Sequence, residues 1–412
     1  MKELLLYFCI GLLCGGCARD PHTGEPTPGD TTLVVYAPAV VKKSVSKKVF
    51  AHLMPWFESK HTNQPTGAWG QHWTMANQNP DLTDASGRRQ IASHYYPLIG
   101  PYASADPNVI EYQLLLMKFS GIDGVFIDWP GTTQLYDYPR NAENAGKIIA
   151  MLGKAGLAYS IVYEDQNINI AYNKGVFTDK IAAARKDMEY LQTNYFGASN
   201  YEKVDGRPLL LVFGPQTFAA ENDWRAIFST LPVKPCFFTL WGASSKAGAT
   251  AAGTFAWINP DNTGSLQNFY GNNYQGLKIG SAYPGFNTYY AAGGWGGPNF
   301  VINASGTGNF LSTLDLALQS NVHYIQLPTW NDYGEGTMIE PTIEFGYSLL
   351  TALQQRLGVN YHQPELELVN RLYALRTGHA GDAPVQRQLD QAFYYLVSLN
   401  VSKASDLLKS IN

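Results

Sequence analysis

Eight short β-rich runs, set apart by segments suited to helices, constrain this chain more than any other feature. They are Val49–Trp56, Gly124–Trp129, Ala158–Asp165, Pro208–Gly214, Cys236–Gly242, Gly253–Asn259, Lys278–Gly285 and Tyr324–Asp332. Between several of them lie segments that read as crossover helices: Pro107–Ser120, with proline in its first turn, Arg140–Ala155, Thr178–Tyr195 and Gly308–Asn321. Eight βα units in one chain call for an α/β fold, a (β/α)8 TIM barrel over about residues 47–357. The stretch from Phe57 to Asp106 is too long for a simple connection and is expected to be a structured insertion over the barrel mouth. Beyond it, residues 358–412 carry two amphipathic patterns (Leu366, Val369, Leu372, Leu375, then Leu389, Phe393, Leu396, Val397) and read as a small helical appendage.

The amino terminus reads differently. Met1–Leu13 holds an apolar core too short to span a bilayer, and Leu13-Cys14-Gly15-Gly16 precedes Cys17 as a bacterial lipobox would. Residues 1–17 are therefore expected to be a lipoprotein signal peptide, with Cys17 the lipid anchor and residues 18–46 a linker that starts with a Pro/Gly-rich tether. The protein is then expected at the cell envelope of a Gram-negative bacterium, held to the membrane through its anchor only; the alternative is an ordinary secreted protein in which Cys17 is incidental. Past Cys17 only Cys236 remains, so no intrachain disulfide is available. With 29 Lys+Arg against 33 Asp+Glu, and no basic run longer than two, nothing marks a nucleic-acid partner.

In barrels of this kind the chemistry sits at the carboxyl ends of the strands. Here those ends are polar and aromatic: His52 to Trp56, Asp128-Trp129, Glu164-Asp165, Trp241, Trp257 with Asn259, Tyr283, and Trp330-Asn331-Asp332 followed by Glu335. Any single tryptophan could be packing. Together they suit a carbohydrate, because flat indole faces cover the apolar face of a pyranose while carboxylates accept hydrogen bonds from its hydroxyls. Asp332 and Glu335, three residues apart with Gly334 and Gly336 beside them, could supply the carboxyl pair that glycosidic cleavage needs. The acid of such a pair must keep its proton at neutral pH, through burial against Trp330 and the nearby charge of Asp332. The spacing also allows a bland reading, in which one carboxylate caps the following helix or pairs with Arg88 or Arg140.

The string Trp330-Asn331-Asp332-Tyr333-Gly334-Glu335 resembles the catalytic-region motif of glycoside hydrolase family 71, the α-1,3-glucanases. Asn331, Glu335, Gly336, Thr337, Ile339 and Glu340 are similar to the corresponding stretch of family 99, the endo-α-1,2-mannosidases and mannanases. His72-Trp73, Tyr96-Pro97, Gly100, Tyr102, Ser104, Asp106-Pro107, Val109-Ile110, Met117, Asp128-Trp129 and Glu164 also match family 99, so the resemblance spans about Val49 to Leu357. It implies an endo-acting α-glycosidase working on a polysaccharide or oligosaccharide. Glu335 falls on the general acid/base, Asp332 on the second carboxylate, Trp129 on a ring lining the glycone subsite and Glu164 on a carboxylate that holds sugar hydroxyls. Family 99 has Glu where this chain has Asp332, shorter by one methylene, or about 1.5 Å of reach. A shorter base leaves room for a water, which suits inversion, and retention and inversion both stay open.

Other chemistries fit less well. There is no His-Glu-x-x-His, and His52, His72 and His94 are scattered, so no metal is expected and these histidines read as structural or substrate-binding. The nearest string to a nucleophile elbow, Gly242-Ala243-Ser244-Ser245-Lys246, lacks its second glycine. Gly293-Gly294-Trp295-Gly296-Gly297 does not follow a strand-to-helix order and reads as a flexible rim loop with an exposed Trp295 rather than a nucleotide site, so no cofactor is expected. The remaining rival is a non-catalytic surface lipoprotein that captures glycans on the same aromatic mouth.

Overall fold

The computed structural model describes residues 32–298 and 300–411. All eight runs form strands: β1 Lys48–Leu53, β2 Gly124–Trp129, β3 Ala158–Tyr163, β4 Arg207–Val212, β5 Cys236–Leu240, β6 Ala251–Phe255, β7 Leu277–Ser281 and β8 Tyr324–Pro328. Every neighbouring pair is parallel. β1 and β8, the first and last strands in sequence, lie side by side with Val49 opposite Ile325. Pairing of β3 with β4, Ile161 opposite Leu210, closes the ring. This is the (β/α)8 barrel expected from the strand count.

Alternation along each strand sorts side chains into two apolar layers. Phe50, Phe126, Val162, Leu209, Leu211, Phe238, Phe255 and Ile279 fill the barrel interior. Val49, Ala51, Val125, Ile127, Ile161, Leu210, Ile325 and Leu327 face outward into the larger core beneath the helices. The expected crossover helices are present as Pro107–Phe119, Tyr138–Ala155, Lys180–Asn194 and Gly308–Gln319. Asp106 caps the first by accepting from Asn108 N, Asp179 caps the third by accepting from Ala182 N, and the second ends on Gly156 at φ 75°.

The carboxyl-terminal segment forms three helices, Gln363–Gly378, Ala383–Val397 and Val401–Ser410, one more than the two amphipathic patterns suggested. Leu366, Val369 and Leu372 enter the same core as the Pro107–Phe119 helix, and Arg376 reaches that helix to pair with buried Glu111 at 2.9 Å. Residues 32–46, counted with the linker from sequence, run extended along the body. Val34 N donates to Gln391 Oε1 (2.8 Å), Ala39 N to Val397 O (2.9 Å) and Ser44 N to Leu357 O (2.9 Å). The expected signal peptide, Cys17 and the Pro/Gly-rich part of the linker lie outside the described residues.

Candidate active site

Directly after β8 the chain folds back on itself and brings Asp332 and Glu335 to the barrel mouth. Thr329 Oγ1 accepts from Asp332 N (2.7 Å), and Asp332 Oδ1 accepts from Glu335 N (3.0 Å). Gly336 turns at φ 67°, where a Cβ would stand 2.6 Å from Asn287 O, so the turn needs glycine both for its torsion and for its close approach. Asp332 thus holds its own turn rather than capping the following helix, and neither arginine is involved. Arg140 pairs with Glu143, and Arg88 lies over the ring of Tyr96.

Both carboxyls are shifted upward, and unequally. Burial pushes Asp332 to about 6, tempered by the backbone N–H groups of Glu335 and Gly334 and by the nearby His72. Burial and then the negative charge of Asp332 push Glu335 to about 8, tempered by the Tyr290 hydroxyl, which donates to Glu335 Oε1 at 3.4 Å. At neutral pH the pair therefore holds one proton, on Glu335. A second carboxyl pair stands across the same mouth. Burial, then Glu164, raise Asp128 well above the carboxylate range, while burial raises Glu164 to about 7 against the hydrogen bonds from Gln166 (2.7 Å) and Asp128. Asp332 adds to the upward shift of Asp128, which ties the two pairs into one electrostatic unit.

The aromatic and histidine residues divide by strand face. His52 and Trp257 point inward, their rings edge to face at 4.7 Å, and burial pushes His52 down to about 3, so it is neutral. Trp56 lies flat on His72, with ring centroids 4.3 Å apart and planes 6° from parallel, and His72 Nε2 sits 3.6 Å from Asp137. Trp129 is a correction. Asp128 points into the barrel, so the next residue along the strand must point out, and Trp129 is fully buried in the outer core against Tyr163 and Tyr190. Trp330 likewise belongs to the outer core, and so does not supply the surface that buries Glu335. Tyr283 packs outside the barrel with Phe269 and Phe286.

Other expected site residues support rather than line the mouth. Trp73 is buried within the insertion, where its indole donates to Tyr102 O (2.7 Å) and its ring backs Tyr333. Asn331 joins the ends of β1 and β8, accepting from Met54 N (2.9 Å) and donating to Met54 O (3.0 Å). Tyr96 takes up contacts within the insertion and its flank, accepting from Arg89 N and donating its own N–H to Glu344. Trp241 sits on the outer rim, 37% exposed and edge-on to Phe269.

Sequence reasoning missed Tyr290, which lies in the connection after β7 and carries no spacing signal toward Glu335. It also missed Asp137, the partner of His72. Glu340 was noticed only within the motif. It is fully buried, accepts from Gln113 Nε2 (2.7 Å) and from the Tyr102 and Tyr333 hydroxyls (2.8 Å each), and so clamps the insertion and the Pro107–Phe119 helix to the turn that carries Asp332 and Glu335.

No protein-family profile matches the chain, and no curated protein matches it in sequence. Among solved structures it is similar to a family 99 endo-α-mannosidase from Bacteroides thetaiotaomicron, at 17% identity and a TM-score of 0.57, covering 79% of this chain and 99% of that one. The same enzyme in complex with bis-tris propane gives a TM-score of 0.56 at 17% identity, over 81% and 100% of the two chains. A glycoside hydrolase-like protein matches at 12% identity with a TM-score of 0.52, over 82% and 98%. At these identities the likeness is one of fold, and it extends over nearly the whole length of each neighbour.

Proposed function

We propose that this protein is a glycoside hydrolase that cleaves α-linked glycans, α-mannan or α-glucan, within the chain. The observation that carries the reading is the turn after β8 that holds Asp332 and Glu335 together at the mouth of the barrel, Asp332 Oδ1 accepting from Glu335 N (3.0 Å); burial and the charge of Asp332 favour the proton on Glu335. Glu335 then delivers its proton to the departing glycosidic oxygen. Asp332 acts as the base that assists the nucleophile, either a water or the sugar's own 2-hydroxyl. The Asp128–Glu164 pair and His52, facing the same space, offer acceptors and donors for sugar hydroxyls. The likeness in fold to a family 99 endo-α-mannosidase supports an α-glycan as the substrate class.

The binder reading draws less support. Trp73, Trp129, Trp330 and Tyr283 are taken up by packing, which removes much of the expected aromatic platform. A carboxyl pair poised around neutrality is needed for proton transfer but not for capture. Incubation with yeast α-mannan, α-1,3-glucan and related α-glycans should release new reducing ends from at least one polymer. Binding to such a polymer without any new reducing ends would favour the binder and overturn the hydrolase.

A further inference from the structure

The rim loop after β7 carries a large ring that no step of this reaction uses. Trp295 is 44% exposed, yet its loop is pinned on two sides. Toward the catalytic turn, Asn287 N donates to Glu335 O (2.9 Å) and Tyr289 N to Gly334 O (2.8 Å), and Trp295 N closes back on Tyr290 O (2.8 Å). Toward the insertion, Ala76 N donates to Gly293 O (2.9 Å) and Asn77 Nδ2 to Ala292 O (2.6 Å). Gly293 lets the two segments approach closely: a Cβ there would stand 2.2 Å from Met75 Sδ and force that side chain to move. The loop expected to be flexible is therefore tied to Glu335 through the backbone. Its indole gains little from its own chain: His72 stands perpendicular to it at 5.9 Å, and Tyr290 meets it at 6.0 Å.

We propose that Trp295 is the stacking platform for the leaving-group side of the glycan, so that the protein recognises two or more sugar residues beyond the cleaved bond. The inference rests on the reading of Glu335 as the acid. An acid faces the departing oxygen, and Tyr290, which donates to Glu335, is also the residue that flanks Trp295. His72, beside Asp332, also meets the ring, but the loop that carries Trp295 is hydrogen-bonded to Glu335 itself, through Tyr290 Oη and Asn287 N, and this tie assigns the ring to the acid's side, where the leaving sugars extend. An indole face covers the C–H face of a pyranose and repays the exposure that its own chain leaves uncompensated.

The test uses the full chain carrying Glu335→Gln, so that ligands stay intact. Manno-oligosaccharides of two to six units from yeast α-mannan and gluco-oligosaccharides of the same lengths from α-1,3-glucan are titrated by calorimetry, with and without Trp295→Ala. The gain in affinity with each added sugar should shrink, leaving the longest ligand weaker by on the order of tenfold, with Trp295→Phe keeping part of the gain. A matching melting temperature in the Trp295→Ala protein shows that the loss is local. Unchanged length dependence in a protein that binds these ligands overturns the platform alone. No binding of any ligand, together with no cleavage by the unsubstituted protein, overturns the hydrolase reading and the platform with it.

Discussion

The two ends of the barrel treat their charges in opposite ways. At the amino-terminal end Glu202 accepts from Lys48 Nζ (2.6 Å) and from the Tyr324 hydroxyl (2.5 Å). Asp123 is paired with Lys43 and also accepts from Val49 N (2.7 Å). Lys47 and Lys278 end on backbone carbonyls. At the mouth, Asp128, Glu164, Asp332 and Glu335 have no lysine or arginine partner among the described ion pairs; burial raises all four, and neighbouring carboxylates of the set add to the shift of Asp128 and Glu335. A carboxylate kept for stability is given a cation. Under the proposed reading, one that transfers protons is left without one, at a cost to the fold.

The largest expected effect comes from removing the proton that this contrast preserves. Glu335→Gln should lower turnover of natural glycans by a factor on the order of 10² to 10⁴ while leaving binding largely intact, because an amide keeps the shape and cannot donate. Substrates with an activated leaving group should recover part of the rate. Asp332→Asn should be inactive on both kinds, since its nucleophile is unassisted whatever leaves. The unsubstituted protein should show a bell-shaped rate profile, rising as Asp332 ionises near 6 and falling as Glu335 loses its proton near 8. Equal losses on activated and natural substrates in the two variants would refute the division of roles.

A smaller effect should appear in stability, with opposite signs at the two ends. Glu335 has a folded pKa above its unfolded value, so its contribution to stability is fully present below about 4.5 and is lost as pH rises through about 8. Glu335→Gln should therefore match the unsubstituted protein in melting temperature at pH 4 and exceed it by a few degrees at pH 9. Glu202→Gln, which replaces the charged acceptor of Lys48 and Tyr324 by a neutral amide oxygen, should instead melt about 2 °C lower at pH 7. Melting curves that move in the same direction for both variants at pH 9 would erase the contrast.

What the sequence made legible follows from what kind of signal each feature leaves. A parallel strand buried on both faces reads as a continuous apolar run, so all eight strands could be counted. The same continuity hides which residue faces in, because polarity does not alternate. Asp128-Trp129 was therefore read as two site residues when only the aspartate reaches the mouth. Asp332 and Glu335 were legible because they sit three residues apart on one turn. Tyr290, 45 positions from Glu335, reaches it only through the folding of the β7 connection, and no local pattern announces that contact. Asp137 reaches His72 the same way, from the connection after β2 to the insertion after β1.

The smallest effect concerns Trp129, where the family resemblance and the strand alternation disagree. If the indole lined the glycone subsite, Trp129→Phe would raise KM for every glycan cleaved. In the outer core the substitution has two opposing consequences. It removes ring volume packed against Tyr163 and Tyr190, which costs stability, and it removes a buried indole N–H that has no hydrogen-bond partner, which returns some. The net change should be about 1 kcal/mol or less, with KM unaltered within error. Denaturant unfolding and steady-state kinetics on the same preparation separate the two: a several-fold rise in KM at unchanged stability would put Trp129 back in the site and break the rule that its strand face decides its role.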